Sequence, residues 1–301
     1  MLSLLVGDDI RATTRTEGVD LTKEVATPWS DIPAGPYDIR LIVTDMDATL
    51  LDAEGQIPSG FWDLLKVMTD RGITFVPASG RQYATLEQQF GHVGARVSYI
   101  AENGNLVVHE GKPIAVSSVD PQTVQRIIRA SRDAAKQRNL GVVFCGLEGA
   151  YIERHDQPFV EECSKYFAKL ALVDDLMEVD DKPLKIAIFD FDDSAAALEG
   201  HFQEASRGQQ AVLSGKHWID VMIPDVDKGR GVDQLQAALG VNPEQTAVFG
   251  DYLNDLEMLT RAHWSFAMEN AHPDLKVTAN YLAPSHVDGG VVTVLRRLLG
   301  S

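Results

Sequence analysis

The chain has 301 residues, 45% of them hydrophobic and 24% charged, with a formal net charge of −17. That length supplies a full core for roughly one or two domains, and that charge opposes attraction to nucleic acid or to an anionic membrane surface. An anionic substrate would need a locally positive site to overcome the same charge.

No run approaches the ~18 apolar residues needed to cross a bilayer, and MLSLLVGDDI lacks the basic start and long apolar stretch of a signal peptide. A cytoplasmic location is expected. Cys145 and Cys163 are the only cysteines and have no metal-ligand spacing, so they read as reduced thiols.

Residues 1–37 hold no sustained period and carry Pro28, Pro33, Gly35 and Pro36 near their end, so they read as an N-terminal extension. IRLIVTD is then a short apolar strand, and SGFWDLLKVMTDRG a helix opened by a Ser cap, with Phe61, Leu64, Leu65 and Met68 at helical spacing. ITFVPAS is the next strand, RQYATLEQQFGHVG a helix, VSYIAEN a strand and NLVVHEGKPIA a hairpin. Such alternation implies right-handed crossovers and a mostly parallel sheet.

Between residues 113 and 216 the texture changes. DPQTVQRIIRASRDAAKQRN is an amphipathic helix, GVVFCG and GAYIERH are paired strands, and PFVEECSKYFAKL is a helix. The strand LKIAIFD, the helix SAAALEGHFQEASRG and strands near QAVLSG and HWIDVMI follow. GRGVDQLQAALG, TAVFGD, LNDLEMLTRA and SFAMEN then resume the first pattern. The expected fold is α/β: a Rossmann-like parallel sheet core, residues 38–112 and 217–301, with an inserted α+β cap over 113–216.

In open parallel sheets ligands bind beyond the carboxyl ends of the strands. Polar residues stand at those exits: Asp45-Met46-Asp47-Ala48-Thr49, Ser79-Gly80-Arg81, and Gly250-Asp251-Tyr252-Leu253-Asn254-Asp255. Positions i and i+2 of an extended segment point to one side about 6.6 Å apart. One acid could attack there while its neighbour, its proton affinity raised by the like charge, gives and takes a proton. Asp251 adds a third carboxylate, and three acids together suit a hard cation such as Mg²⁺. Ser79, the Gly80 N–H and Arg81 make an anion cradle before a helix, and Lys228 offers a second positive charge.

At these residues the sequence resembles the haloacid dehalogenase superfamily of phosphohydrolases. Its four motifs match Asp45-Met46-Asp47-Ala48-Thr49, Ser79 of ASGR, Lys228 of DKGRG, and Asp251 to Asp255 of GDYLND. The insertion between the second and third motifs, AENGN at 101–105, and a K-G followed by G-x-x-x-x-x-L are similar to the Cof-type branch with an α/β cap. The likeness spans about residues 39–295.

The resemblance implies a Mg²⁺-dependent phosphatase acting on a small phosphorylated metabolite, such as a sugar phosphate; the net charge of −17 leads to the expectation of no nucleic-acid or membrane partner. The resemblance also implies that Asp45 attacks phosphorus and Asp47 moves the proton, that Thr49 orients this loop, and that Ser79, Gly80 and Lys228 hold the phosphoryl oxygens. Arg81 would contact substrate. Mg²⁺ would be held by Asp45, the Asp47 carbonyl and Asp251, with Asn254 and Asp255 in support or Asn254 on phosphate. Where the family has Gly after the second Asp, this chain has Ala48, whose Cβ restricts the backbone if positive φ is required.

Two other readings share these motifs: a phosphomutase that returns the phosphoryl group to substrate, and a catalytically silent ligand-binding protein. The latter should tend to lose Asp45 or Asp47, and both are present. His155, Arg154, Trp218 and His217 are candidate cleft residues, with surface or packing roles as the other reading. Oligomeric state is not legible in the sequence.

Overall fold

The computed structural model describes residues 26–91, 96–213 and 216–301. The first core segment supplies β1 (Thr27–Pro28), β2 (Leu41–Asp45), helix α1 (Ser59–Asp70), β3 (Thr74–Ala78), α2 (Tyr83–Phe90), β4 (Tyr99–Ala101), β5 (Leu106–His109) and β6 (Lys112–Val116). The insert supplies α3 (Pro121–Ala134), β7 (Leu140–Gly146), β8 (Ala150–Ile152), α4 (Gln157–Ser164), β9 (Leu170–Leu172), β10 (Pro183–Asp190), the short α5 (Ser194–Ala197), β11 (Gln210–Leu213) and β12 (Trp218–Met222). The chain returns through α6 (Lys228–Leu239), β13 (Thr246–Gly250), α7 (Leu256–Leu259), β14 (Trp264–Met268), α8 (Pro273–Thr278), β15 (Tyr281–Ala283) and α9 (Gly290–Leu299).

The core sheet runs β1-β15-β14-β13-β2-β3-β4-β5-β6, parallel from β1 through β4 and antiparallel at the β4–β5–β6 end. Every residue of β2, β3 and β13 is buried, as both-face coverage of a parallel sheet requires. β2 lies between β13 and β3, with Ala78 in register with Asp45 and Phe249 with Thr44. The residues that leave these three strands therefore emerge side by side. α1 rests on β3 and packs against α9, while α6 covers β4, β5 and β6.

The insert forms its own sheet, β11-β12-β10-β7-β8-β9, antiparallel except for β8 with β9. α3 packs on β7 and β10. Its Asp120 cap accepts from the N–H groups of Gln122 and Thr123 at 3.0 Å each, and Pro121 fills the first helical turn. The expected α/β core with an inserted α+β unit is the observed fold.

Several boundaries move. The extension drawn over 1–37 ends earlier, because β1 pairs with β15, and Ala26 and Ile32 are buried. A two-residue edge strand carries no period for a sequence reading to detect. Residues 1–25 lie outside the described residues, as do 92–95 at the end of the RQYATLEQQFGHVG helix and Ser214 and Gly215 of QAVLSG. The insert does not begin at 113, since β6 completes the core hairpin through Val116. Nor does the core resume at 217: β12 pairs with β10 and β11, so the return follows Met222.

Ser59 is not the cap of α1 but its first residue; Pro58 precedes it and no side chain caps the helix. The helix expected over PFVEECSKYFAKL stops at Ser164, and Leu170 begins β9 instead, where pairing with β8 outweighs helical spacing. Among the described residues no helix is long and apolar enough to cross a membrane.

Candidate active site

Asp45 is the last residue of β2 and is buried. Its Oδ1 accepts from Lys228 Nζ at 2.5 Å, and the same ammonium reaches Asp255 Oδ1 at 2.7 Å. Lys228 is fully buried in the first turn of α6 rather than on the surface. α6 comes close enough because residue 229 is Gly: a Cβ there would stand 2.7 Å from the Glu257 carbonyl carbon.

Asp251 follows β13 and accepts from Thr49 Oγ1 at 2.8 Å. Asp255 Oδ2 takes the N–H groups of Asp251 at 3.0 Å and Tyr252 at 3.3 Å, which folds GDYLND back on itself. Gly250 makes room for this, since a Cβ would lie 2.6 Å from that of Asp255. Carboxylate oxygens of Asp45, Asp251 and Asp255 lie within 4.8 Å of one another.

Burial pushes the Asp45 carboxyl upward; Lys228 opposes this, and the charges of Asp255 and Asp251 add to it. Burial likewise raises Asp251 to about 6, against the Thr49 hydrogen bond. Burial pulls Lys228 down, but Asp255 and Asp45 more than reverse it, so the ammonium is held charged. With all four groups ionised, three carboxylates against one ammonium leave two negative charges, the charge of one divalent cation. Asp255 has committed both oxygens, whereas Asp45 and Asp251 each have one with no hydrogen bond among the described residues. An all-oxygen donor set of that charge fits a hard divalent ion.

Asp47 stands apart from the cluster, exposed at the edge of a cleft of about 640 Å³ between core and cap. Arg81 holds it with two bonds, Nη2 to Oδ1 at 2.6 Å and Nε to Oδ2 at 3.3 Å. The guanidinium that sequence reading assigned to an anion is thus engaged with this acid. Between Asp47 and Thr49, Ala48 adopts φ 57°, the left-handed region in which the family's Gly is free and a Cβ is strained. Its carbonyl accepts from Asn270 Nδ2 at 2.9 Å.

Ser79 and Gly80 leave β3 beside Asp45, and Asn254 reaches Asn103 Oδ1 at 3.4 Å across the same cleft. The cap side is lined by Tyr166, Phe167, Val212, Leu213 and Trp218, with Lys185 and Asp220. Of the four insert residues singled out in the sequence, only Trp218 lines this cleft. His155 bonds the Val173 carbonyl, His217 the Asp190 carbonyl, and Arg154 lies over Phe159 and Phe191 within the cap.

Sequence reasoning missed a buried bridge between the two units. Lys185 Nζ of β10 lies 2.9 Å from Glu102 Oε2, 3.0 Å from the Gly80 carbonyl and 3.4 Å from Asp220 Oδ2. A lone lysine inside the apolar run PLKIAIFD was its signal. Asn270, at the exit of β14, was the signal for the clamp on Ala48.

Fold and site together define a Rossmann-like protein with a cap over a carboxylate cluster at its strand exits. A family model described as haloacid dehalogenase-like hydrolase matches residues 42–295. The 5-amino-6-(5-phospho-D-ribitylamino)uracil phosphatase YbjI of Escherichia coli K12 is 31% identical over 264 residues, covering 87% of this chain and 96% of that protein. Phosphatase YwpJ of Bacillus subtilis 168 is 24% identical over 293 residues, covering 87% and 100%. The crystal structure of SMU.1108c from Streptococcus mutans UA159 superposes with a TM-score of 0.75 at 26% identity, covering 87% of this chain and all of that one. The chain belongs to the haloacid dehalogenase-like hydrolases, as a phosphoric monoester hydrolase.

Proposed function

We propose that the chain is a Mg²⁺-dependent phosphatase that hydrolyses a small phosphorylated metabolite through an aspartyl-phosphate. The observation that carries this reading is Asp45. It is a buried carboxyl at a strand exit, bonded to a buried lysine, and one of its oxygens lies within 4.8 Å of oxygens of Asp251 and Asp255.

In this reading Asp45 attacks phosphorus, the bond to the leaving oxygen breaks, and Asp47 delivers a proton to that oxygen. Water then attacks the phosphoryl group with Asp47 taking its proton, releasing phosphate and restoring Asp45. Ser79, the Gly80 N–H and Lys228 hold the phosphoryl oxygens, with Thr49 fixing Asp251 and Asn254 reaching the cleft. Asp45, Asp251 and the Asp47 carbonyl would hold Mg²⁺, which would supply positive charge against the negative charge that gathers at the site. Arg81 must yield Asp47 before that acid can serve, and an arriving phosphate is the natural competitor for its guanidinium.

The relatives' names support hydrolysis rather than transfer. The aromatic and apolar cap wall above polar core residues suits a leaving group that carries both a ring and hydroxyls. The ribitylaminouracil phosphate in the E. coli relative's name therefore belongs with sugar phosphates in the first panel. Phosphate release from that panel, with and without Mg²⁺, is expected from the parent and absent in Asp45→Asn. Equal activity in the two proteins would remove Asp45 as nucleophile.

A further inference from the structure

We propose that Lys185, a cap residue, is a positioning residue that sets the two phosphate-facing donors of the Ser79–Arg81 turn. The inference rests on the phosphatase reading above and adds to it a residue outside the motifs.

A charged side chain inside a buried strand is costly unless its partners need it. Two of the three partners of Lys185 belong to the core: the Gly80 carbonyl and Glu102 Oε2. In the turn, the Ser79 N–H donates to the Ile100 carbonyl at 2.9 Å, the Ser79 carbonyl accepts from Asn103 N–H at 3.0 Å, and the Arg81 carbonyl from Glu102 N–H at 3.1 Å. Arg81 N–H donates to Ser79 Oγ at 3.2 Å. Gly80 N–H has no hydrogen bond among the described residues, and the Ser79 hydroxyl, its oxygen already accepting, has its proton to give.

Lys185 governs both donors by separate routes. Through the Gly80 carbonyl it fixes and polarises the Gly80–Arg81 peptide, whose N–H holds Ser79 Oγ and turns the hydroxyl proton outward. Through Glu102 it anchors the segment whose Asn103 N–H holds the Ser79 carbonyl, and so the plane of the Gly80 N–H. That segment is strained: Glu102 has φ 51° and Asn103 φ 56°, left-handed conformations that disfavour a residue with a Cβ, Glu more than Asn. Two successive strained residues, tied to the cap by a buried ion pair and to the cradle by two backbone bonds, mark a constrained support. Since Lys185 comes from the cap, the donors are aligned only with the cap docked.

The experiment uses the full chain with Lys185→Met, and with Lys185→Met/Glu102→Gln, which removes the ammonium without leaving Glu102 charged and unpaired. Calorimetry gives the Kd of inorganic phosphate with Mg²⁺, p-nitrophenyl phosphate gives kcat and KM, and thermal melting gives stability. Both variants are expected to bind phosphate about tenfold more weakly or worse, the loss of one aligned hydrogen bond, with a comparable fall in kcat. Lys185→Arg is expected to recover most of both.

Parental phosphate affinity and kcat in the folded double variant, whatever its melting point, would overturn the inference and leave Lys185 a structural clasp. So would a loss confined to KM for bulkier phosphomonoesters, which would make it a leaving-group contact. The reading beneath is checked separately: a parent that turns over p-nitrophenyl phosphate where Asp45→Asn does not upholds it, whatever Lys185 does. A parent that neither binds phosphate nor hydrolyses any ester overturns both.

Discussion

Lys228→Met should be among the most damaging single substitutions in the core. The ammonium is fully buried and makes bonds of 2.5 and 2.7 Å to two carboxylates, with Asp251 in the same cluster. Each charge-assisted bond contributes about 1.5–3 kcal/mol, and breaking a buried pair by removing one partner costs about 3–5 kcal/mol because the remaining charge stays buried. Methionine matches the stem of lysine, so the cavity term is small. The unfolding constant should therefore rise by roughly two to three and a half powers of ten.

Urea denaturation in EDTA, followed by tryptophan fluorescence, measures this. Two further arms locate the cause. Lys228→Met/Asp255→Asn should recover part of the loss, since one unpaired carboxylate becomes a neutral amide, and Mg²⁺ in place of EDTA should shrink the penalty of the single variant. A loss under about 1 kcal/mol, the range of an exposed ion pair, would refute the account of a buried charge cluster. So would a double variant less stable than Lys228→Met.

Ala48→Gly relieves the left-handed strain at φ 57° but adds unfolded-chain freedom, so a net gain of up to ~1 kcal/mol is expected by chemical denaturation. A loss above that size would show that Ala48 is not strained there. Asp190 has a fully buried side chain that accepts from Arg138 Nε at 2.6 Å and from the N–H groups of Asp192 and Asp193. Burial raises its carboxyl, but these donors outweigh it and hold the carboxyl below its ordinary value. A folded-state value below the unfolded one gives stability that is present above about pH 4 and lost as pH falls through the folded value. Asp190→Asn should thus cost about 1.5–3 kcal/mol at pH 7, with the gap to the parent closing toward pH 3. A pH-independent gap would contradict the assignment.

The core was legible because its determinants are local. β2, β3 and β13 are continuous apolar runs, and Asp45, Ser79 and Asp251 directly follow or end them, so chain position alone placed them at one edge. The Ala48 mismatch was legible too, as a β-carbon where a backbone angle forbids comfort. Contacts that join distant segments were not. Nothing in PLKIAIFD states that Lys185 crosses to Glu102 and Gly80, over 83 and 105 residues of separation. The bound at 216 cut β12 from the insert for a related reason: a short buried strand does not state where its sheet ends, and only its pairing with β10 decides.

Cys145 and Cys163 give this fold a built-in probe. Both sulfurs lie in the cap, on β7 and α4, and no other residue of the chain carries a thiol. Burial pushes the Cys145 thiol well up and Cys163 to about 12, so neither offers appreciable thiolate at neutral pH while the cap is folded. A disulfide reagent will colour only as the cap opens its interior, which makes thiol-exchange kinetics a clock for the insert alone, against which Trp29, Trp62 and Trp264 report the core once Trp218 of β12 is replaced.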